Sequence, residues 1–346
     1  MSNLRYILDL YKKHPSVEKI VGALKEGLPA PRVQLTGLSG ALESFVLAAT
    51  LEDQSRAGTT SPVHLFLANS KEEAAYRLND LQGLLGDEAV FFFPDSFKRP
   101  TFFDDLHQTQ ILQRSEVVNK VCGPAVGPRL AQATQGKVVV TYPEALFEKV
   151  VKPEVLSKSR IDIVKGEKVA VDTIIEVLIE YGFERTDFVY EPGQFSIRGG
   201  IVDLFSFGND LPYRIELFDD EVESIRVFDP LTQLSKQNLG YVSIVPNLNT
   251  RFRQDQKVSL FSVLPPDAVL WIKDFQFVLD RLQQCFEKAE QFAAKISALD
   301  AAEIREIFRD RAFLYPSEVL EAVTGHPMVF LEAQLERLHR EFPGMF

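Results

Sequence analysis

Cysteine is almost missing from this chain: Cys122 and Cys285 are its only two in 346 residues. They lie far apart and in different expected elements, which excludes a disulfide framework or cysteine-rich metal site and makes a reducing cytoplasm the expected compartment. Histidine is nearly as sparse. His14, His64, His107, His326 and His339 include no i, i+4 pair of the kind that grips a metal from one helix face. No stretch approaches the roughly 20 consecutive apolar residues of a membrane span. The N-terminal "MSNLRYILDLYKKHP" reads as an amphipathic helix and lacks the small-residue cleavage site of a signal peptide. Positive charge is short as well: 38 Lys and Arg stand against 49 Asp and Glu, a net charge of −11. Because phosphate contacts from Lys and Arg supply most non-specific affinity, autonomous nucleic-acid binding is disfavoured and protein partners are favoured. Repeats and low-complexity segments are absent.

What is present is an alternation of apolar runs and helical patterns, in a chain long enough for two or three domains. "RVQLTG" reads as a strand and "SFVLAATLEDQSRA" as a helix. "PVHLFLANS" is a strand whose Asn69-Ser70 caps the helix "KEEAAYRLNDLQGLL". "AVFFFPDSF" reads as a strand, "DDLHQTQILQRSEVVNKVCG" as a helix, and "GKVVVTYPEALFEKV" as a strand followed by a short helix. This alternation implies a parallel sheet covered on both faces. Near Lys152 the style changes. "VDTIIEVLIEYGFE" is a compact amphipathic helix, followed by three or four strands of period two between Glu191 and Pro230. After "VPNLNT" the earlier style returns with the strand "AVLWIKD" and a helix whose apolar stripe runs from Phe275 through Val278, Leu282 and Phe286 to Ile296. The expected segments are 1–157 (α/β), 158–246 (a small inserted α+β domain) and 247–346 (α/β again).

"TGLSGALES", Thr36 to Ser44, sits between an apolar strand and an apolar helix, where a phosphate-binding loop would sit. The pattern G-x-x-x-x-G-K-[ST], begun at Gly37 and passing Gly40, would end in glycine, lysine and Ser or Thr; the chain has Leu42, Glu43 and Ser44. Leu42 brings a side chain to a place where the backbone must approach phosphate closely. Glu43 exchanges a cation for an anion, a swing of several kcal/mol when one charge pair at ~4 Å is worth roughly 4 kcal/mol at an effective dielectric of about 20. The acidic Mg²⁺ motif fails too. Asp87-Glu88 precedes its strand instead of following it, and Lys273-Asp274, which does follow one, lacks the Asp-Glu pair. No ATP binding, cofactor, metal or catalytic residue is expected. Gly37-Leu38-Ser39-Gly40-Ala41 approximates a nucleophile elbow, but no oxyanion stretch or partner histidine accompanies it.

The stretch "FVYEPGQFSIRGGIVDLFSFGNDLPYRIELFDDEVESIRVFDPLTQLS" carries a specific signature, E-P-G-x-F-x-x-R-G-G-I-x-D-[IL]-F followed by R-I-E-x-F-x-D-E-[IV]-E-S-[IL]-R-x-F-D-P. It resembles the UvrB-homology module at the N-terminus of bacterial transcription-repair coupling factors (the Mfd family). The resemblance implies a degenerate RecA/helicase-like (P-loop NTPase-like) parallel-sheet domain, discontinuous, with an inserted UvrA-interaction domain. It implies a non-catalytic module that recruits UvrA in transcription-coupled nucleotide-excision repair. Translocase, DNA-binding and RNA-polymerase-binding domains would lie outside this segment. The alternative within the same resemblance is an active UvrB-like ATPase. UvrB keeps an intact G-K-T loop and a tyrosine-rich hairpin, whereas here "PDSFKRPTFFDDLHQTQ" holds no tyrosine.

Residues two apart in a strand share a face. In "PYRIELFDD" that groups Tyr213, Ile215 and Leu217 against Arg214, Glu216 and Phe218; in "GQFSIRGG" it groups Phe195 with Ile197 and sets Arg198 beside Ser196. The family's UvrA interface maps onto Arg198, Arg214 and Phe218, with Glu216 and Arg185 at contributing positions. Arg198-Gly199-Gly200, a single RGG inside a patterned strand, is expected to mark a bulge or a close backbone approach instead of RNA binding.

Overall fold

The structure is a computed structural model that describes residues 2–25, 30–57, 62–99, 102–106, 108–122, 136–158, 161–207, 209, 211–244, 256–295 and 313–345. In chain order the elements are α1 (Ser2–Lys12), α2 (Pro15–Leu24), β1 (Arg32–Gln34), α3 (Leu42–Ala57), β2 (Val63–Leu67), α4 (Lys71–Leu85), β3 (Val90–Phe92), β4 (Phe97–Arg99), β5 (Phe102–Leu106), α5 (Gln108–Cys122), β6 (Lys137–Thr141) and α6 (Pro143–Leu146). Next come β7 (Val150–Val151), α7 (Pro153–Lys158), β8 (Ile161–Val164), α8 (Val171–Glu180), β9 (Glu184–Arg185), β10 (Gln194–Arg198), β11 (Ile201–Leu204), β12 (Tyr213–Phe218), β13 (Glu221–Phe228), β14 (Ser235–Leu239) and β15 (Tyr241–Ile244). The last stretch holds β16 (Lys257–Val258), α9 (Leu260–Val263), β17 (Val269–Ile272), α10 (Phe275–Lys295), a helix Pro316–Thr324, β18 (Met328–Phe330) and a helix Leu335–Glu341. The chain divides into two compact units, one of residues 1–105, 117–150 and 258–346 and one of 106–116 and 151–257.

The larger unit is built on a six-stranded sheet of order β1-β18-β17-β2-β6-β3, every pair of it parallel. Its inner strands are buried from end to end, "VHLFL" in β2 and "VLWI" in β17. That is why they read as continuous apolar runs without alternation. Ser70 caps α4 as expected, its side chain accepting from the Glu73 amide at 3.2 Å. The helix expected from Asp104 starts later. Residues Phe102–Leu106 pair with β4 as a two-stranded ribbon, and α5 begins only at Gln108. Strand pairing overrides local preference there.

The smaller unit carries a sheet of order β14-β13-β12-β11-β10-β9, antiparallel except for β9 on β10. One face packs Phe195, Val202, Leu204, Ile215 and Ile225 with Ile174 and Leu178 of α8 and with Ile163, Val242 and Ile244 of the separate β8–β15 pair. The alternation between Glu191 and Pro230 locates β10 to β13. The edges β9 and β14 escape it, because one has two residues and the other, "SKQNL", is polar and exposed almost throughout. Arg198-Gly199-Gly200 forms the tight β10–β11 turn. Gly199 has φ +62°, and a Cβ on Gly200 would stand 2.5 Å from the Leu217 carbonyl oxygen. The RGG therefore marks a close backbone approach. The expected boundary at 246–247 and Ile296 lie outside the described residues.

Candidate functional site

At the phosphate-loop position the chain makes the expected strand–turn–helix passage from β1 to α3, with Gly37 at φ +79° and Gly40 at φ +59°. Glu43, in the first turn of α3, is buried against Arg77 of α4. Arg77 also donates to the Gly40 carbonyl at 2.7 Å, so one guanidinium pins both the loop and the helix start. Burial raises the Glu43 carboxyl above its ordinary value, and Arg77 opposes that rise. Around them lie Glu73 and Asp80, with Lys273 reaching Glu73 at 3.1 Å and Ser44 Oγ donating to Asp80 at 3.4 Å. Three carboxylates face two cations, a balance hostile to phosphate. Asp274, at the C-terminal end of β17, accepts from the Phe277 amide at 3.1 Å as a helix cap and pairs with Arg337 at 2.9 Å. Ser39 is exposed, and no histidine hydrogen-bonds to it among the described residues.

The second site is the polar face of the smaller sheet. Register lays Ser196, Asp203, Arg214 and Arg226 side by side across β10 to β13, with Arg198, Ile201, Glu216 and Ser224 in the adjacent row. Arg214 grips Asp203 in a fork, Nε to Oδ1 at 2.7 Å and Nη2 to Oδ2 at 2.9 Å. Such bidentate pairs combine strength with fixed geometry. Arg198 donates to the same Oδ2. Two guanidiniums thus share one carboxylate whose side chain is only 2% exposed. Donating to the Asp203 carboxylate raises the Arg214 pKa, and its guanidinium lies 4.6 Å from the Phe228 ring centre. Glu216 accepts from Ser224 at 2.8 Å and pairs with Arg226; the Ser224 bond is the leading cause of its lowered pKa. Phe218, 73% exposed, ends the strand beyond a register shift between Glu216 and Leu217. The Leu217 amide donates to Gly200 O at 2.8 Å at that shift.

Of the five residues singled out on this unit, the structure brings Arg198, Arg214, Glu216 and Phe218 onto one face. Arg185 stands apart: it is exposed on edge strand β9 in register with Phe195, whose side chain belongs to the opposite, apolar face. Sequence reasoning missed Asp203 and Arg77. Asp203 does carry a signal, an ionisable residue inside the apolar run "IVDLF". Arg77 carries none, since on an amphipathic helix it resembles a solvated charge.

The family model of the UvrB interaction domain matches residues 161–249. The chain is 31% identical over 248 residues to the transcription-repair-coupling factor of Bacillus subtilis, covering 71% of this chain and 19% of that protein. It is 28% identical over 173 residues to the transcription-repair-coupling factor of Haemophilus influenzae, covering 50% of this chain and 14% of the relative. It is 26% identical over 235 residues to the UvrABC system protein B of Acinetobacter baylyi, covering 67% and 34%. The chain thus spans a fifth or less of the coupling factors it matches. No helix among the described residues is long and apolar enough to cross a membrane. The chain is therefore similar to the transcription-repair-coupling factors and to UvrABC system protein B, and its residues 161–249 match the UvrB interaction domain.

Proposed function

We propose that this chain is a non-catalytic recruitment module that binds UvrA through the polar face of its smaller sheet, acting in transcription-coupled nucleotide-excision repair. The observation that carries the reading is the convergence of Arg198 and Arg214 on the single buried carboxylate of Asp203. One carboxylate cannot neutralise two guanidiniums, so positive charge is left on a rigid surface beside the exposed Phe218. Arginine and aromatic side chains are the residues enriched at protein interfaces. Glu216 completes the surface; Arg185, on edge strand β9 in register with the apolar face, lies off it. Residues 158–246 form the docking domain; 1–157 and 247–346 form a RecA-like, helicase-like domain that it interrupts. In a longer coupling factor, DNA translocation and RNA-polymerase binding belong to other segments. The module works in the cytoplasm without a cofactor.

The non-catalytic half of the reading is supported by Glu43. In an active UvrB-like ATPase a lysine at its place would meet phosphate; here a carboxylate meets Arg77 and the pair occupies the turn. Capture of UvrA by the immobilised chain tests the docking half. Wild type should bind, and Arg198→Ala and Arg214→Ala should each weaken binding. Unchanged affinity in both would remove the assignment.

A further inference from the structure

We propose that the docking face continues past the arginines onto two loops, 186–190 and 229–234, and that the UvrA surface it fits sets a carboxylate beside an apolar depression. This rests on the reading of the polar face as the UvrA-binding surface.

The charge argument begins with pairing. Glu216 is matched by Arg226, whereas among the described residues Arg198 and Arg214 both hydrogen-bond to the one carboxylate of Asp203. The half-exposed Arg198 therefore carries charge that an incoming carboxylate can meet. Its guanidinium lies 5.4 Å from the Phe188 ring centre, and Phe188 lies 6.4 Å from Tyr190. Both aromatics are exposed. On the other side, Arg214 Nη1 donates to Gln233 O at 3.3 Å, which seats the 229–234 turn beside the same arginine pair. From that turn Leu231, 85% exposed, and Leu234 project into solvent.

These apolar side chains are held out, not merely left out. Asp229 Oδ1 accepts from the amides of Leu231 and Thr232, each at 3.0 Å. Lys236 pairs with Asp229 at 2.8 Å, and that bond leads the causes holding its carboxyl down at about 2. Gln233 adopts φ +61°, a conformation non-glycine residues rarely take, and its Nε2 donates to Pro230 O at 2.6 Å and to Val189 O at 3.3 Å. The last bond ties the two loops together over a small buried cluster of Val189, Phe205 and Phe228. Ordered loops that present apolar side chains lose little entropy on binding. Phe218 and Leu231 then flank the arginines from opposite ends, since Phe218 lies four residues from Arg214, about 13 Å along the strand at ~3.3 Å per residue.

The test measures UvrA affinity for the full chain carrying Leu231→Asp or Phe188→Ser, with Arg214→Ala in parallel and thermal melting as a folding control. Leu231→Asp puts an anion on the surface proposed to meet a carboxylate, so binding should weaken about tenfold, with Phe188→Ser several-fold weaker and melting unchanged. Loss in Arg214→Ala with wild-type affinity in both loop variants would overturn the extension and leave the docking reading standing. Wild-type affinity in Arg214→Ala and Arg198→Ala would overturn the docking reading itself, and no binding by the unsubstituted chain would overturn both.

Discussion

Replacing Asp203 by asparagine keeps the shape of the side chain and removes the charge on which two arginines converge. Asp203 lies on β11, between Ser196 and Arg214 in register, and is almost fully buried. Removing one partner of a buried ion pair generally costs about 3–5 kcal/mol. Two features reduce that figure. The half-exposed Arg198 can turn to water, so its share is that of a surface pair, under about 1 kcal/mol. Asparagine also keeps one acceptor oxygen for the Arg214 fork, although its NH₂ group then faces a donor. The net expectation is about 2–3 kcal/mol, dominated by the largely buried Arg214. Urea unfolding followed by far-UV circular dichroism should show the substituted chain losing structure at a midpoint lower by about 1–2 M, at a slope of roughly 1–3 kcal/mol per M. A double substitution with Arg214→Met should cost less than the sum of the two single changes, because the lost interaction is shared. UvrA binding should fall as well, although Asp203 itself is too buried to touch a partner. A cost below about 0.5 kcal/mol, with additivity in the double variant, would refute the view that Asp203 organises the face.

Other consequences follow from the same geometry. ATP or ADP at millimolar concentration should leave the melting temperature unchanged, and Leu42→Gly with Glu43→Lys should not create hydrolysis; an upward shift or measurable turnover would contradict the occupied-loop reading. Glu43→Lys alone sets a cation against Arg77, where a like pair at ~4 Å costs roughly 4 kcal/mol at an effective dielectric of about 20, so a large loss of stability is expected in urea. Gly200→Ala places a Cβ 2.5 Å from the Leu217 carbonyl oxygen; it should disturb the backbone next to Phe218 and reduce UvrA binding more than stability. His64 is fully buried, accepts from Trp271 Nε1 at 3.1 Å, and has its pKa pressed down to about 3 by burial. The unfolded chain binds that proton near the ordinary 6.5, so its contribution is present above pH 6.5 and lost as pH falls towards 3, about 2 kcal/mol by pH 5. A His64→Gln chain should show a correspondingly smaller loss of urea midpoint between pH 7 and pH 5, and an equal loss would refute the assignment.

Legibility differed sharply between elements. β2, β6 and β17 are readable because a strand buried on both faces must be apolar along its whole length. β10 to β13 are readable because one face is wet and one dry. β14 and β9 are not, since a polar edge has no dry face to advertise. The strand β5 was hidden behind "FFDDL", whose pairing with β4 no local pattern announces.

The sequence by itself determined the side of the sheet on which Arg214, Glu216 and Phe218 stand, because side-chain parity along a strand is a local property. It also determined that the phosphate loop lacks its lysine. Only the tertiary structure decided what these residues meet. Arg198 and Arg214 share Asp203 through the register of three strands, Glu43 closes its loop on Arg77 from a helix 34 residues onward, and Arg185 lies on the other side of the sheet. Parity is written in neighbouring residues. Register and packing are written in which distant segments come together, and a single wrong pairing by one residue would have turned every one of those side chains to the opposite face.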